Sequence, residues 1–396
     1  MPFKWAVESL ADTLRVWVSE PTARRQTQKW GAAYVGVQQE EVERIMQELP
    51  PAPMGPEKML LSVDGAMVPL VGGEWAEVKT LVLGEIDEPV WEGGEWKVHA
   101  SGLSYFSRLM GAEAFSQAAL GEVHRRGVES AAQVVAVTDG AEWEQGFIDD
   151  QREDAVRVLD FPHAAEYVAH IGSAVWGEAT PRTQEWLSQQ LHTLKHQGPT
   201  DVLSALRRLV QDHPDVPELG ASLAYLEKRE AHMPYPRCLA QGWPIGSGSV
   251  ESGNKVVVEA RLKGAGMHWA RAHINPMLAL RNALCNGRWL EACSQILTHQ
   301  HLHRQRMQQL RRQQRLAAVA RPPVSSETLP CTPPVAATTQ LSASRPDPLA
   351  QTPTLGAPDS AIPRQRRRPG PDHPWRHSPI GKARYRQCSH PSSARN

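Results

Sequence analysis

Lys58-Met-Leu-Leu-Ser-Val-Asp64-Gly-Ala-Met-Val-Pro69 decides the fold of this chain. An apolar run that ends in an acidic residue and a glycine reads as a buried strand over 58–64. Working outward, Glu74-Trp-Ala-Glu-Val-Lys-Thr-Leu-Val-Leu-Gly84 alternates and reads as a second strand, and Glu95-Trp-Lys-Val-His-Ala100 as a third. Residues 103–127 place Ala, Leu and Phe on one side of a helix. Ala132-Gln-Val-Val-Ala-Val-Thr-Asp-Gly140 is a fourth strand ending in a turn, and Ala155-Val-Arg-Val-Leu-Asp160 a fifth. Three strands in succession, then helix–strand–helix–strand, predict an α/β fold with a mixed sheet flanked by helices.

The flanks are helical. Over residues 1–50, Val18-Ser-Glu-Pro-Thr-Ala-Arg24-Arg25 is a helix start, with Ser19 as cap and Pro21 in the first turn; Arg24, Arg25 and Lys29 follow on that helix. A second helical stretch, about 32–48, ends at the linker Leu49-Pro-Pro-Ala-Pro53. The pair reads either as the remnant of a helix-turn-helix or as a packing hairpin. After the core at 58–163, residues 164–240 give helical signals without strand runs. Residues 241–295 return to the core, with breaks at Gly264-Ala-Gly266 and Pro276, and 296–320 form a Gln/Arg-rich basic helix. From 321 to 396 the chain holds 15 of its 32 prolines, which predicts a disordered tail.

The chain has 396 residues, with 43 Lys+Arg against 43 Asp+Glu. That neutrality hides an asymmetry: residues 301–396 hold 16 basic and 4 acidic side chains, so the tail is a basic handle on an acidic body. No apolar run reaches the roughly 20 residues a spanning helix needs. The opening Met1-Pro-Phe-Lys-Trp-Ala6 lacks the pattern of a secretion signal, so a cytoplasmic protein is expected. Cys238, Cys285, Cys293, Cys331 and Cys388 have unrelated spacings, which suits a reducing compartment and neither a disulfide framework nor a thiolate zinc site.

Three acidic residues stand out by position. Asp64 and Asp139 each follow an apolar strand and precede a glycine, where a carboxylate projects from a rigid sheet edge. Glu251 opens a helix in Trp243-Pro-Ile-Gly-Ser-Gly-Ser-Val-Glu251-Ser-Gly-Asn-Lys255, with Ser249 the expected cap and glycines for a close approach. Brought together, the three make an oxygen-only site suited to Mg²⁺ or Mn²⁺. Taken one at a time, Asp-Gly is also a common turn and Glu251 also suits a helix start. Asn254 and Lys255, three and four residues after Glu251, share its helical face and are candidate DNA contacts. Trp143 and Trp243 read as core residues first and base-stacking residues second, and Arg261 and Lys263 as a solvated face.

Beyond these readings, the sequence resembles bacterial insertion-sequence transposases of the DDE class, and specifically the ISKra4 family. The resemblance rests on Leu61-Ser-Val-Asp-Gly-Ala-Met-Val-Pro-Leu70, Gly73-Glu-Trp-Ala-Glu-Val-Lys-Thr-Leu81, Thr138-Asp-Gly-Ala-Glu-Trp143, Leu159-Asp-Phe-Pro-His-Ala-Ala-Glu-Tyr167, Pro244-Ile-Gly-Ser-Gly-Ser-Val-Glu-Ser252, Val258-Glu-Ala-Arg-Leu-Lys-Gly-Ala-Gly-Met267 and Asn275-Pro-Met-Leu-Ala-Leu-Arg-Asn-Ala283. It spans roughly 15–295, with a faint echo in His373-Pro-Trp-Arg376. It implies an RNase H-like fold, the catalytic and metal-binding triad Asp64, Asp139 and Glu251, and a Mg²⁺- or Mn²⁺-dependent enzyme. That enzyme cuts DNA at element ends and joins the 3′-OH to a target, as a homo-oligomer on nucleoid DNA. It also implies a site role for His163, oriented by Asp160, with 164–240 as an all-helical insertion. Arg24, Arg25, Asn254, Lys255 and, in the tail, Arg366, Arg367 and Arg368 are the expected DNA contacts. Family members resemble one another in a longer N-terminal region with Cys/His clusters, whereas the first cysteine here is Cys238. The alternative reading is therefore a truncated or catalytically idle DNA-binding derivative.

Overall fold

A computed structural model describes residues 2–319; the proline-rich tail, with Arg366, Arg367 and Arg368, lies outside the described residues. All described elements belong to one unit, Met1–Pro323. Two helices come first, α1 (Phe3–Leu14) and α2 (Glu20–Glu48). Ser19 caps α2 as expected, accepting from Thr22 N–H, but α2 runs unbroken through the stretch that reads as a boundary near residue 32. Burial explains the continuity: Gly31, Tyr34, Val42 and Ile45 recur at helical spacing along its inner side.

The expected α/β class is what the chain forms. The sheet uses β1 (Lys58–Pro69), β2 (Trp75–Ile86), β5 (Ala100–Arg108), β6 (Gln133–Thr138) and β7 (Val156–Leu159), in the order β5-β2-β1-β6-β7. β5–β2 and β2–β1 pair antiparallel, while β1–β6 and β6–β7 are parallel. A separate small hairpin joins β3 (Val90–Glu92) to β4 (Glu95–Lys97). The third sheet strand therefore lies later than expected, over 100–108 rather than 95–100. Leu103-Ser-Tyr-Phe-Ser-Arg108, read as the start of a helix, pairs with β2 instead, and the helix α3 spans only Ala112–Arg125. Pairing with β2 overrides the weak helical pattern. The remaining core helix, α4, is Glu142–Arg152.

Beyond β7 come α5 (Phe161–Trp176), α6 (Pro181–His196), α7 (Pro199–Asp212), α8 (Pro217–Lys228) and α9 (Tyr235–Gln241), the all-helical stretch the sequence predicts. The chain then returns through α10 (Gly248–Gly253), a π-helical segment Asn254–Glu259 and the short α11 (Ala260–Leu262). It ends in α12 (Arg271–Cys285) and α13 (Trp289–Val319). Pro276 sits inside α12 rather than ending it. No helix among the described residues is long and apolar enough to cross a membrane.

Packing on the two faces of β1 locates the site. Met59, Leu61 and Val63 face Phe115, Ala119, Phe147 and Ile148 of α3 and α4. On the opposite face, Leu60 joins the core built by β6, β7 and the helical stretch. Ala66, Val68 and Leu70, on that same face, join a different core with Val257, Val258, Leu262 and Ile274. Side chains alternate along a strand, so Asp64 shares the face of Leu60 and Ala66. It falls in the seam between two helical layers, the one stretch of that face that neither apolar core covers.

Candidate metal centre

β1 and β6 hold their two aspartates side by side. The parallel pairing runs Lys58 opposite Gln133 through Leu61 opposite Ala136, and Ser62 Oγ donates to Val137 O at 2.5 Å. Asp64 and Asp139 continue the same offset just past the point where β6 ends. Asp64 is not at a strand end as expected: β1 runs on to Pro69 in its hairpin with β2, and Asp64 pairs with Thr80. The Asp64-Gly65 step is strand rather than turn, while Asp139-Gly140 is a turn, with Gly140 at φ +83°.

Asp64 is well furnished. Its Oδ1 accepts from Gly65 N–H at 2.6 Å and its Oδ2 from the Asn254 side-chain amide at 2.8 Å. Burial nevertheless raises its carboxyl from 3.8 to about 6, and the nearby charges of Asp139 and Glu251 add to the rise. Asp139 Oδ1 accepts from Ala141 N–H at 2.9 Å. Its backbone is clamped by the helical stretch: Tyr225 of α8 donates to Asp139 O, and Arg229 donates to Gly140 O through Nε at 2.9 Å and Nη2 at 2.6 Å.

Ligand oxygens of Asp64, Asp139 and Glu144 all lie within 4.8 Å of one another, so these three acidic residues could hold a metal ion. Glu144 was not among the expected site residues. It sits in the first turn of α4 and is fully buried, with Oε2 accepting from Gly140 and Ala141 N–H at 3.1 Å each. Burial, a hydrogen bond to Asp139 and the charges of Asp139 and Asp64 push its carboxyl up to about 10. At neutral pH it is an uncharged group that donates to Asp139. Its signal in the sequence is the glutamate three residues after the helix cap, a capping arrangement.

Glu251 opens into the same cleft, a space of about 190 Å³ that Asp64, Asp139, Asp160, His163, Glu166 and Glu251 line together with Ser247 and three apolar residues. Five carboxylates and no lysine or arginine line it. α10 starts two residues earlier than expected, at Gly248, with Ser247 rather than Ser249 at the cap position; Ser247 Oγ donates to Glu251 Oε1 at 3.3 Å. Gly253 makes the crossing possible, because a Cβ there would lie 2.9 Å from Val82 Cγ2 and 3.1 Å from the Tyr105 ring.

No protein-family model matches the chain, and the search of curated proteins gives no match.

The other expected site residues divide. His163 lines the cleft, but Asp160 does not orient its ring. Asp160 caps α5, accepting from His163 N–H at 2.9 Å, and its other oxygen accepts from Ser247 N–H at 2.6 Å. The His163 imidazole instead stands edge-on to Tyr167 and Tyr225, with Nδ1 3.7 Å from Glu166 Oε2. Asn254 is buried against Asp64, so it is a support for that carboxylate rather than a surface contact, whereas Lys255 is exposed. Neighbours on a helix point about 100° apart, so only one of the pair can face Asp64. Arg24 and Arg25 are exposed on α2, Arg24 paired with Glu20 at 2.7 Å. Trp243 is buried in the core, and Trp143 packs edge-on to Phe115 with the Lys79 ammonium 4.3 Å from its ring. Arg261 is not solvated: it is buried between Phe3 and Trp269.

Oxygen donors alone suit a hard divalent cation. The clustered carboxylate oxygens of Asp64, Asp139 and Glu144, with Glu251 lining the same cleft, fit such an ion.

Proposed function

We propose that this chain is a Mg²⁺- or Mn²⁺-dependent DNA transposase that cleaves phosphodiester bonds and joins a 3′-OH to target DNA. One observation carries the reading: two aspartates held by neighbouring strands meet a helix-borne glutamate in one carboxylate-rich cleft. The resemblance of the same segments to DDE transposases supports it. Asp64, Asp139 and Glu251 would hold the cations, with Glu144 neutral behind Asp139. Bound there, a divalent cation supplies charge for the phosphate oxygens and acidifies an attacking hydroxyl.

The protein's own part is positioning. β1 and β6 fix the aspartates, Asn254 orients Asp64, and Tyr225 and Arg229 fix the Asp139 turn. Without cations the five carboxylates repel a phosphodiester, so cleavage is strictly metal-dependent. The expected setting is bacterial cytoplasm, on nucleoid DNA, with copies assembling on the element's ends. The deciding experiment is nicking of an end-containing duplex with Mg²⁺. The parent protein cleaves it; Asp139→Asn loses cleavage while binding the duplex nearly as well. An Asp139→Asn protein that nicks at the parent's rate would refute the assignment.

A further inference from the structure

α2 and α13 pack antiparallel, and between them lies a second cavity of about 350 Å³, far along the chain from the acidic cleft and opposite to it in charge. Lys29, Ala33, His299, Gln300, His303 and Arg304 line it. Lys29 and Arg304 are both exposed, one from each helix. His299 Nδ1 and Gln300 Nε2 are buried without a protein partner. Glu40 lies 3.5 Å from His299 Nε2, the other ring nitrogen.

The stacked rings of His299 and His303 resemble a metal-binding pair, four residues apart on a helix. A cation is disfavoured there, because an ammonium and a guanidinium share the cavity and no carboxylate lines it. The donor set suits an anion: two fixed positive charges and an amide N–H with nothing to bond. α13 extends this character. From Ala292 to Val319 it carries five arginines and three histidines and no acidic residue, and residues 301–316 are exposed. At a rise of about 1.5 Å per residue, those exposed turns span about 24 Å, roughly seven base-pair steps of a duplex.

We propose that the α2–α13 groove is a binding site for the phosphodiester backbone of duplex DNA, with Lys29 and Arg304 each neutralising a phosphate and Gln300 donating to one. The inference rests on the transposase reading for the identity of the polyanion, but it concerns a groove that shares no lining residue with the acidic cleft. Such contacts position a duplex without reading its sequence.

The test uses the full chain with a random-sequence duplex in EDTA, so that no cleavage intervenes. Log affinity is followed against log salt for the parent, the double variant Lys29→Gln/Arg304→Gln and the charge-preserving Lys29→Arg/Arg304→Lys. Each phosphate contact contributes a slope of about −0.9, so the neutralised variant should lose about 1.8 from the slope magnitude, while the charge-preserving one keeps it. Equal slopes for all three proteins overturn the site, as would an equal loss in the charge-preserving variant. Nicking with Mg²⁺ is read separately. A parent that nicks, with a neutralised variant of unchanged slope, leaves the enzyme reading standing and removes the groove; a slope loss with an inert parent does the reverse.

Discussion

The side-chain amide of Asn254 donates to Asp64 Oδ2 at 2.8 Å, tying the π-helical segment behind Glu251 to the central strand. The bond stabilises the ionised form of a carboxylate that burial pushes the other way. Partners that orient a ligand are typically worth about 10–100-fold in metal affinity or activity. Asn254→Ala should therefore weaken Mn²⁺ binding and cleavage by about that factor. Asn254→Asp should be worse without metal, since it sets a second carboxylate against Asp64. Titration calorimetry with Mn²⁺ and nicking rates check both; parent-like values for Asn254→Ala would reduce the contact to packing.

Asp64 also gives the fold a pH-dependent cost. It ionises near 3.8 when unfolded and at about 6 in the fold, so the native state holds the extra proton between those values. Stability from this group is greatest below pH 4 and falls as pH rises through that window. Asp64→Asn removes the titration. In metal-free buffer the variant should exceed the parent by on the order of 2–3 kcal/mol at pH 7.5, the gap closing towards pH 4. Urea unfolding at several pH values measures it, and a gap that does not change with pH would assign the difference to something other than ionisation.

Gly140 is required by two constraints at once. Its φ of +83° disfavours any L side chain, and a Cβ would lie 2.5 Å from Arg229 Nε. Gly140→Ala must strain the turn or displace the arginine that holds it, at a cost of about 1–3 kcal/mol. Because the same turn carries Asp139, cleavage should fall as well, by more than the stability loss explains at saturating Mg²⁺. Tyr225→Phe tests the other half of the clamp, removing only the hydroxyl that bonds Asp139 O. If both variants nick at the parent rate while well folded, the helical stretch does not support the site.

Much of this was legible beforehand, for identifiable reasons. β1, β2, β6 and β7 are buried strands whose apolar runs leave few other readings, and the two Asp-Gly steps mark where ligand-bearing side chains leave them. The helical stretch after β7 showed itself by the lack of strand runs. What failed depended on long-range pairing. β5 became a strand through its ladder with β2, which nothing in Leu103-Ser-Tyr-Phe-Ser-Arg108 announces. Asn254, expected at DNA, bonds Asp64 instead, a pairing across 190 residues that helical spacing alone does not announce. Glu144 read as an ordinary helix-capping residue and is one; only the fold brings it against Asp139. Tyr225 and Arg229 reach the site from 86 and 89 residues away in sequence, and no spacing rule joins them to it.

The third ligand is the sharpest open choice, and the two glutamates make opposite predictions. Glu144 is nearest in space to the aspartates, yet it is buried, protonated at neutral pH and bonded to two backbone N–H groups. Glutamine preserves that arrangement, because its carbonyl can accept from Gly140 and Ala141 and its amide can donate to Asp139. Glu144→Gln should therefore cleave within several-fold of the parent. Glu144→Ala should lose the cap, at about 1 kcal/mol, and leave Asp139 loosely held. Glu251 is exposed on the cleft, its carboxylate accepting, among the described residues, only from Ser247 Oγ at 3.3 Å, and it can turn towards a cation. Glu251→Gln keeps its size and removes its charge, so cleavage should fall by at least 100-fold with folding intact, as expected on losing a charged ligand. Metal titrations of the two variants separate the cases further: Mn²⁺ affinity drops in Glu251→Gln and holds in Glu144→Gln. The reverse pattern would move the third ligand to Glu144, with its proton displaced by the cation, and would leave Glu251 as a wall of the DNA channel.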